Sequence, residues 1–125
     1  MHGMGSESIP VENNNAQKAG EAFVRRFQTT GADITVYKNI PMGAGLGGSS
    51  VDAAGVLNGL AKAYGVQDRE GLEELADGLG SDVKYLLDGG YARMQKRGQD
   101  LTKIESELPL HFLLVCPKTP ITTKE

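Results

Sequence analysis

Four glycines fall within six positions in the run Pro41-Met42-Gly43-Ala44-Gly45-Leu46-Gly47-Gly48-Ser49-Ser50. Glycine loses more backbone entropy on folding than any other residue, so such a cluster implies positive φ values or a ligand brought close to the main chain. The run opens onto a stretch with helical spacing. Unpaired N–H groups and the positive end of a helix dipole meet at such a point and favour an anion. Ser49 and Ser50 add hydroxyl donors. The chemistry on offer is therefore phosphate binding by Gly43, Gly45, Leu46, Gly47, Gly48, Ser49 and Ser50. A plain strand-to-helix turn is the simpler explanation, but it needs only one or two glycines. No lysine lies between Gly43 and Ala61, which excludes the P-loop form. The spacing Gly43-x-Gly45-x-x-Gly48 also satisfies the dinucleotide fingerprint, with Asp68 twenty residues beyond Gly48. Asp68, however, follows a helix where a dinucleotide unit needs a second strand, and it reads better as a helix cap.

A second group able to do chemistry is Asp82 in Gly80-Ser81-Asp82-Val83. A carboxylate there can act as a general base, although from the residues alone the start of a helix explains it better. Asp52, near the start of the helix that follows the glycines, reads as a complement to that helix's dipole. Cys116 is the one cysteine and His2 and His111 the two histidines, too few soft ligands for a transition-metal centre. An oxygen-bound Mg²⁺ stays open. Net charge is −3 with scattered Lys and Arg, which argues against nucleic acid as the main partner. No stretch approaches the roughly 20 apolar residues of a membrane span.

The elements that must position these groups follow from periodicity. Residues 1–12 read as a flexible leader whose first residues look like an expression remnant. Ala16, Ala19, Phe23, Val24 and Phe27 predict a helix capped by Asn13 or Asn14 and ended by Gly31. Ala32, Ile34 and Val36 predict a half-buried strand. After the loop, Ala53, Val56, Leu57, Leu60, Ala61 and Tyr64 mark a helix beginning near Ser50 and closed by Gly65. Asp68 caps a third helix with Leu72, Leu75, Ala76 and Leu79 inside, and Ser81 caps a short fourth. Tyr91–Lys96 and Leu101–Ile104 predict a hairpin, and His111–Cys116 a buried strand. The fold class is α/β or α+β: two layers, a sheet with helices on one face.

In its motifs the chain resembles the GHMP small-molecule kinases. Their loop, P-x-x-x-G-L-G-S-S-A-A, is matched by Pro41, Gly45-Leu46-Gly47, Ser49-Ser50 and Ala53-Ala54. In one branch, which acts on a cytidine-diphospho sugar alcohol, the loop reads close to I-P-x-G-A-G-L-G-G-G-S-S-D-A-A. Ile40 through Gly48 and Asp52-Ala53-Ala54 follow it in register, and Val51 stands where that branch has its second serine. Gly80-Ser81-Asp82-Val83 resembles the family's G-A-D-V-P, with Lys84-Tyr85 in place of Pro-Phe. Gly89-Gly90-Tyr91-Ala92, Arg97-Gly98 and Leu101-Thr102 follow a further family pattern, and Ile121-Thr122-Thr123 resembles a segment at the substrate pocket.

The resemblance implies ATP as phosphoryl donor, Mg²⁺ carried with it and touched by Ser50, and Asp82 as the catalytic carboxylate. Gly80, Ser81 and Thr123 would bind the substrate, a small phosphorylated or nucleotide-linked alcohol. It implies a cytoplasmic or plastid-type setting without nucleic-acid or membrane partners. Residues 13–125 would be part of the family's N-terminal, ATP-binding domain. The family's N-terminal strands with their lysine and its second domain have no counterpart here, and neither Lys38 nor Lys84 matches that lysine. The chain alone is then expected to be inactive and to pair as a homodimer through an exposed sheet edge. Homoserine- or mevalonate-type GHMP kinases, and a non-catalytic phosphate-binding domain, are the alternatives.

Overall fold

The computed structural model describes residues 2–3, 14–41, 43–96, 98 and 100–115. In chain order its elements are β1 (His2–Gly3), α1 (Asn15–Phe27), β2 (Tyr37–Lys38), α2 (Gly48–Tyr64), α3 (Arg69–Leu79), α4 (Val83–Leu86), β3 (Ala92–Gln95) and β4 (Asp100–Lys103). The class is α+β. Two-stranded pairs flank a helical core: β1 runs parallel to β2, and β3 antiparallel to β4.

The helices form where spacing and caps demand them. The Asn14 side chain accepts the Ala16 N–H at 3.0 Å and starts α1. Its buried residues Ala16, Ala19, Gly20 and Phe23 make the apolar stripe. The helix stops earlier than Gly31 predicts, at Gln28, which takes a left-handed φ of 51°. Helix α2 ends as expected at Gly65 (φ 65°), where the Val66 N–H reaches the Ala61 carbonyl at 2.8 Å. Asp68 caps α3 by accepting the Gly71 N–H at 2.9 Å, a contact worth about 1 kcal/mol. Ser81 does not cap α4: Asp82 holds that position, and its side chain makes no capping bond.

The core lies among the four helices. Ala53, Ala54, Leu57, Leu60 and Ala61 of α2 pack with Ala19 and Phe23 of α1, Leu72 and Ala76 of α3, and Val83 and Leu87 at α4. Phe23 is completely buried, with its ring 4.7 Å from that of Phe27. Truncating it to alanine should cost about 3–5 kcal/mol. Tyr64 leaves the core at its hydroxyl, which donates to the Gly31 carbonyl and so ties the end of α2 to the chain leaving α1.

Two predicted strands differ. Residues 32–36 carry the alternating pattern, yet only Tyr37 and Lys38 pair, and Ile34 is 41% exposed. Residues 111–115 form no strand, and Phe112, Leu113, Leu114 and Val115 are exposed instead of buried. A strand is stabilised by its neighbours' ladder, and among the described residues neither segment has one beyond the His2–Gly3 pairing. The hairpin forms as expected, in the register Ala92↔Lys103 to Gln95↔Asp100, and the Ile104 N–H donates to the Tyr91 carbonyl at 2.8 Å.

Asp88 fastens that hairpin to the helices. It accepts from Lys103 of β4 at 2.6 Å and from Arg69 of α3 at 2.8 Å. The Lys103 hydrogen bond, aided by the Arg69 charge and opposed by burial, holds its carboxyl below the usual value. The folded-state pKa lies below the unfolded one. The stabilisation is therefore complete above the ordinary carboxylate range and disappears as pH falls through the lowered value. Asp88→Asn should cost about 1 kcal/mol at pH 7 by urea unfolding. The gap between variant and wild type should shrink towards zero as pH falls through that lowered value.

Candidate functional site

The glycine loop joins β2 to α2, and its shape depends on glycine. Gly43, Gly45 and Gly47 hold φ of 68°, 71° and 68°, in the region L side chains avoid. Gly47 is the N-cap of α2 and supplies no side-chain acceptor. The first bond of the helix there is Val51 N–H to the Gly47 carbonyl, at 2.9 Å. Among the described residues, no amide from Gly43 to Ser50 donates to a backbone carbonyl. This leaves a row of main-chain donors at the positive end of α2. The helix begins at Gly48, two residues before the expected start. Gly48 is closely neighboured: a Cβ there would sit 3.1 Å from Ile40 Cγ2, so Ile40 would have to give by a few tenths of an ångström.

The acid motif lies against this helix start. A Cβ on Gly80 would stand 3.8 Å from Ser50 Oγ, so the Gly80 backbone faces the Ser50 hydroxyl. Ser50 is half-buried and Ser49 exposed. Val51 is turned to the other side, where it lines an apolar groove of about 590 Å³ with Ile34, Val36, Tyr37 and Val56. Asp82 is exposed and begins α4. Its Oδ1 accepts from the Ser81 hydroxyl at 3.3 Å, and no cation pairs with it among the described residues. Asp82 thus stands at the start of a helix, as the sequence suggested, but its side chain makes no capping bond there. Thr123 and Cys116 lie outside the described residues.

Three features of the site were not legible beforehand. Gly98, in the hairpin turn with φ 85°, is buried so tightly that a Cβ would meet the Ser81 carbonyl oxygen at 2.0 Å. The turn thus backs the acid motif, and a glycine in a hairpin turn was the only signal for it. Lys38 pairs with Asp52, and the two side chains are 6% and 16% exposed. Asp52 lies just past the first turn of α2, so this ion pair, not the helix dipole, accounts for it. Lys84 is engaged elsewhere, with Glu73 and Asp77 of α3, both at 3.4 Å. Both lysines near the motifs are thus already paired with carboxylates.

Comparison with known proteins gives consistent results. The family model described as GHMP kinases N terminal domain matches residues 14–92. A protein named 4-diphosphocytidyl-2-C-methyl-D-erythritol kinase from Caldicellulosiruptor saccharolyticus is 38% identical over 122 residues, covering 95% of this chain and 42% of the relative. One of the same name from Anaeromyxobacter sp. (strain Fw109-5) is 42% identical over 119 residues, covering 93% and 38%. Another, from Caldanaerobacter subterraneus, is 41% identical over 122 residues, covering 95% and 42%. The chain spans about two fifths of the length of these relatives. With its glycine loop and acid motif side by side and more than half its length matched by the family model, the chain belongs to the GHMP kinase family, in the N-terminal domain.

Proposed function

We propose that this segment serves an ATP-dependent kinase that phosphorylates a hydroxyl of a nucleotide-linked sugar alcohol, the 4-diphosphocytidyl-2-C-methyl-D-erythritol of its relatives' names. The observation that supports this reading is the closeness of Gly80 to Ser50, where a Cβ on Gly80 would stand 3.8 Å from Ser50 Oγ, so that the segment carrying Asp82 lies near the start of α2 and its row of main-chain donors. In this reading the amides of Gly43, Gly45, Leu46, Gly47 and Gly48 and the hydroxyls of Ser49 and Ser50 hold the ATP phosphates. Gly80, Ser81 and Thr123 contact the alcohol. Phosphoryl transfer passes through a loose transition state, so most of the rate comes from positioning and charge stabilisation, with one base to orient the nucleophile. Asp82 is that base. The Ser81 hydroxyl occupies its Oδ1, which leaves Oδ2 to accept the proton of the attacking alcohol.

Among the described residues no three His, Cys, Asp or Glu side chains cluster as a metal cage. The Ser50 hydroxyl is an oxygen donor that would suit a Mg²⁺ held largely by nucleotide phosphates. Such an ion supplies neutralisation of phosphate charge. The exposed run Phe112 to Val115 gives a second surface property. Four adjacent apolar side chains, 63% to 92% exposed, add a non-directional drive to associate, and a net charge of −3 repels little. A homodimer is the expected assembly, with this apolar run or an exposed strand edge as its contact surface.

In an enzyme of the relatives' length that carries this segment, Asp82→Asn should lower kcat about 10²- to 10⁴-fold and leave the ATP dissociation constant within threefold or so. Steady-state kinetics with parallel calorimetry decides this, and joint loss of binding and turnover would mark Asp82 as structural. Gly98→Ala forces a side chain into the Ser81 carbonyl at positive φ. It should reduce kcat about tenfold or more while α1 and α2 keep their helical circular dichroism. Sedimentation of this chain at micromolar concentration should give a dimer, and Leu113→Lys with Val115→Lys should return it to monomer.

A further inference from the structure

The glycine loop is closed at its neck by a contact that no motif announces. Lys38, at the end of β2, and Asp52, on α2, join through Nζ and Oδ2. They are 14 residues apart in the chain, and what lies between them is the loop and the first turn of α2. Beside this ion pair, Gly48 is pressed against Ile40, with a Cβ position 3.1 Å from Cγ2 and 3.3 Å from Cβ. The ion pair and the close approach of Ile40 to the Gly48 backbone therefore define the neck. Beyond the neck the loop has little stiffness of its own. Its glycines sit at positive φ, and a Cβ at Gly45 or Gly47 would meet nothing within 4 Å. The shape of such a segment is set by how its ends are held.

We propose that the Lys38–Asp52 pair is a clasp that positions the phosphate loop, and that Lys38 contributes to phosphate binding through the clasp and not as a ligand. The proposal rests on the reading of the loop as a phosphate site. Lys38 is the lysine nearest the loop in sequence, and a direct contact with phosphate is its obvious use. The pairing opposes that use. To reach an anion the ammonium would have to leave Asp52, whose carboxylate would then stay largely buried without a counter-charge. Holding the neck instead orders the loop before any ligand arrives, and preorganisation of this kind lowers the cost of binding.

The test compares this chain as wild type, Lys38→Met, Asp52→Asn and the exchange Lys38→Asp with Asp52→Lys. Inorganic tripolyphosphate is the probe, and ¹⁵N relaxation of Gly45 and Gly47 reports loop order without ligand. Each single variant should loosen the loop and weaken tripolyphosphate binding about tenfold, and the exchange should recover most of both. Where a single variant fails to fold, Lys38→Met with Asp52→Leu fills the neck with an apolar pair of similar volume. That chain should keep an ordered loop and bind within about threefold of wild type. Tighter binding in Asp52→Asn, which frees the ammonium, would overturn the proposal. So would lost binding in a folded Lys38→Met, Asp52→Leu chain whose loop stays ordered. If wild type binds no tripolyphosphate but loop order still depends on the pair, the phosphate reading fails while the clasp is supported.

Discussion

Burial of the apolar stripe of α2 is the constraint on which the rest of the structure depends. Ala53, Ala54, Leu57, Leu60 and Ala61 cannot all be left in water, and α1, α3 and α4 each cover part of them. Three of the five are alanines, which let the neighbouring helices come close, while Leu57 and Phe23 fill the centre completely. Replacing a buried leucine with alanine costs about 2–5 kcal/mol, a large share of a small domain's stability. The same helix carries the glycine loop at its N-terminus. What stabilises the domain therefore also holds still the end of α2 that presents its free amides.

Both lysines near the loop and the acid motif have their charge taken up by carboxylates. Lys38 is committed to Asp52, and Lys84 to Glu73 and Asp77. An exposed ion pair contributes little, but removing one partner of a buried pair costs about 3–5 kcal/mol because the other charge is stranded. Lys38–Asp52, part-buried with side chains 6% and 16% exposed, lies between the two. What remains at the loop is a set of backbone N–H groups, the dipole of a helix and the Ser50 hydroxyl, with Asp82 exposed two residues beyond Gly80, which lies close to Ser50. Val51 illustrates how finely this is divided. It follows Ser50 directly, yet it lies in the wall of the apolar groove while Ser50 faces Gly80.

The hairpin has a mechanical part in this arrangement. Asp88 binds it to α3 through Arg69 and Lys103, and Gly98 at its turn backs onto Ser81. The acid motif is thus held between the start of α2 and the hairpin turn. This explains why α4 can be a single short turn and still be positioned: Val83 and Leu87 anchor it in the core, and the two glycines let the backbones close around it.

The sequence by itself determined the parts whose causes are local. Asn14 and Asp68 as caps, the left-handed Gly65 and the buried faces of α1, α2 and α3 all depend on residues within three or four positions of each other. The glycine run and Gly80-Ser81-Asp82 were legible for the same reason, as was the family they resemble. Strands were less legible, because alternation at Ala32, Ile34 and Val36 records a preference that only a neighbouring ladder can realise. Tertiary structure alone decided which groups meet: Ser50 with Gly80, Gly98 with Ser81, and Lys38 with Asp52. Each of these joins residues that no periodicity links. They come together because burying one helix's stripe fixes the directions in which the chain can leave and return.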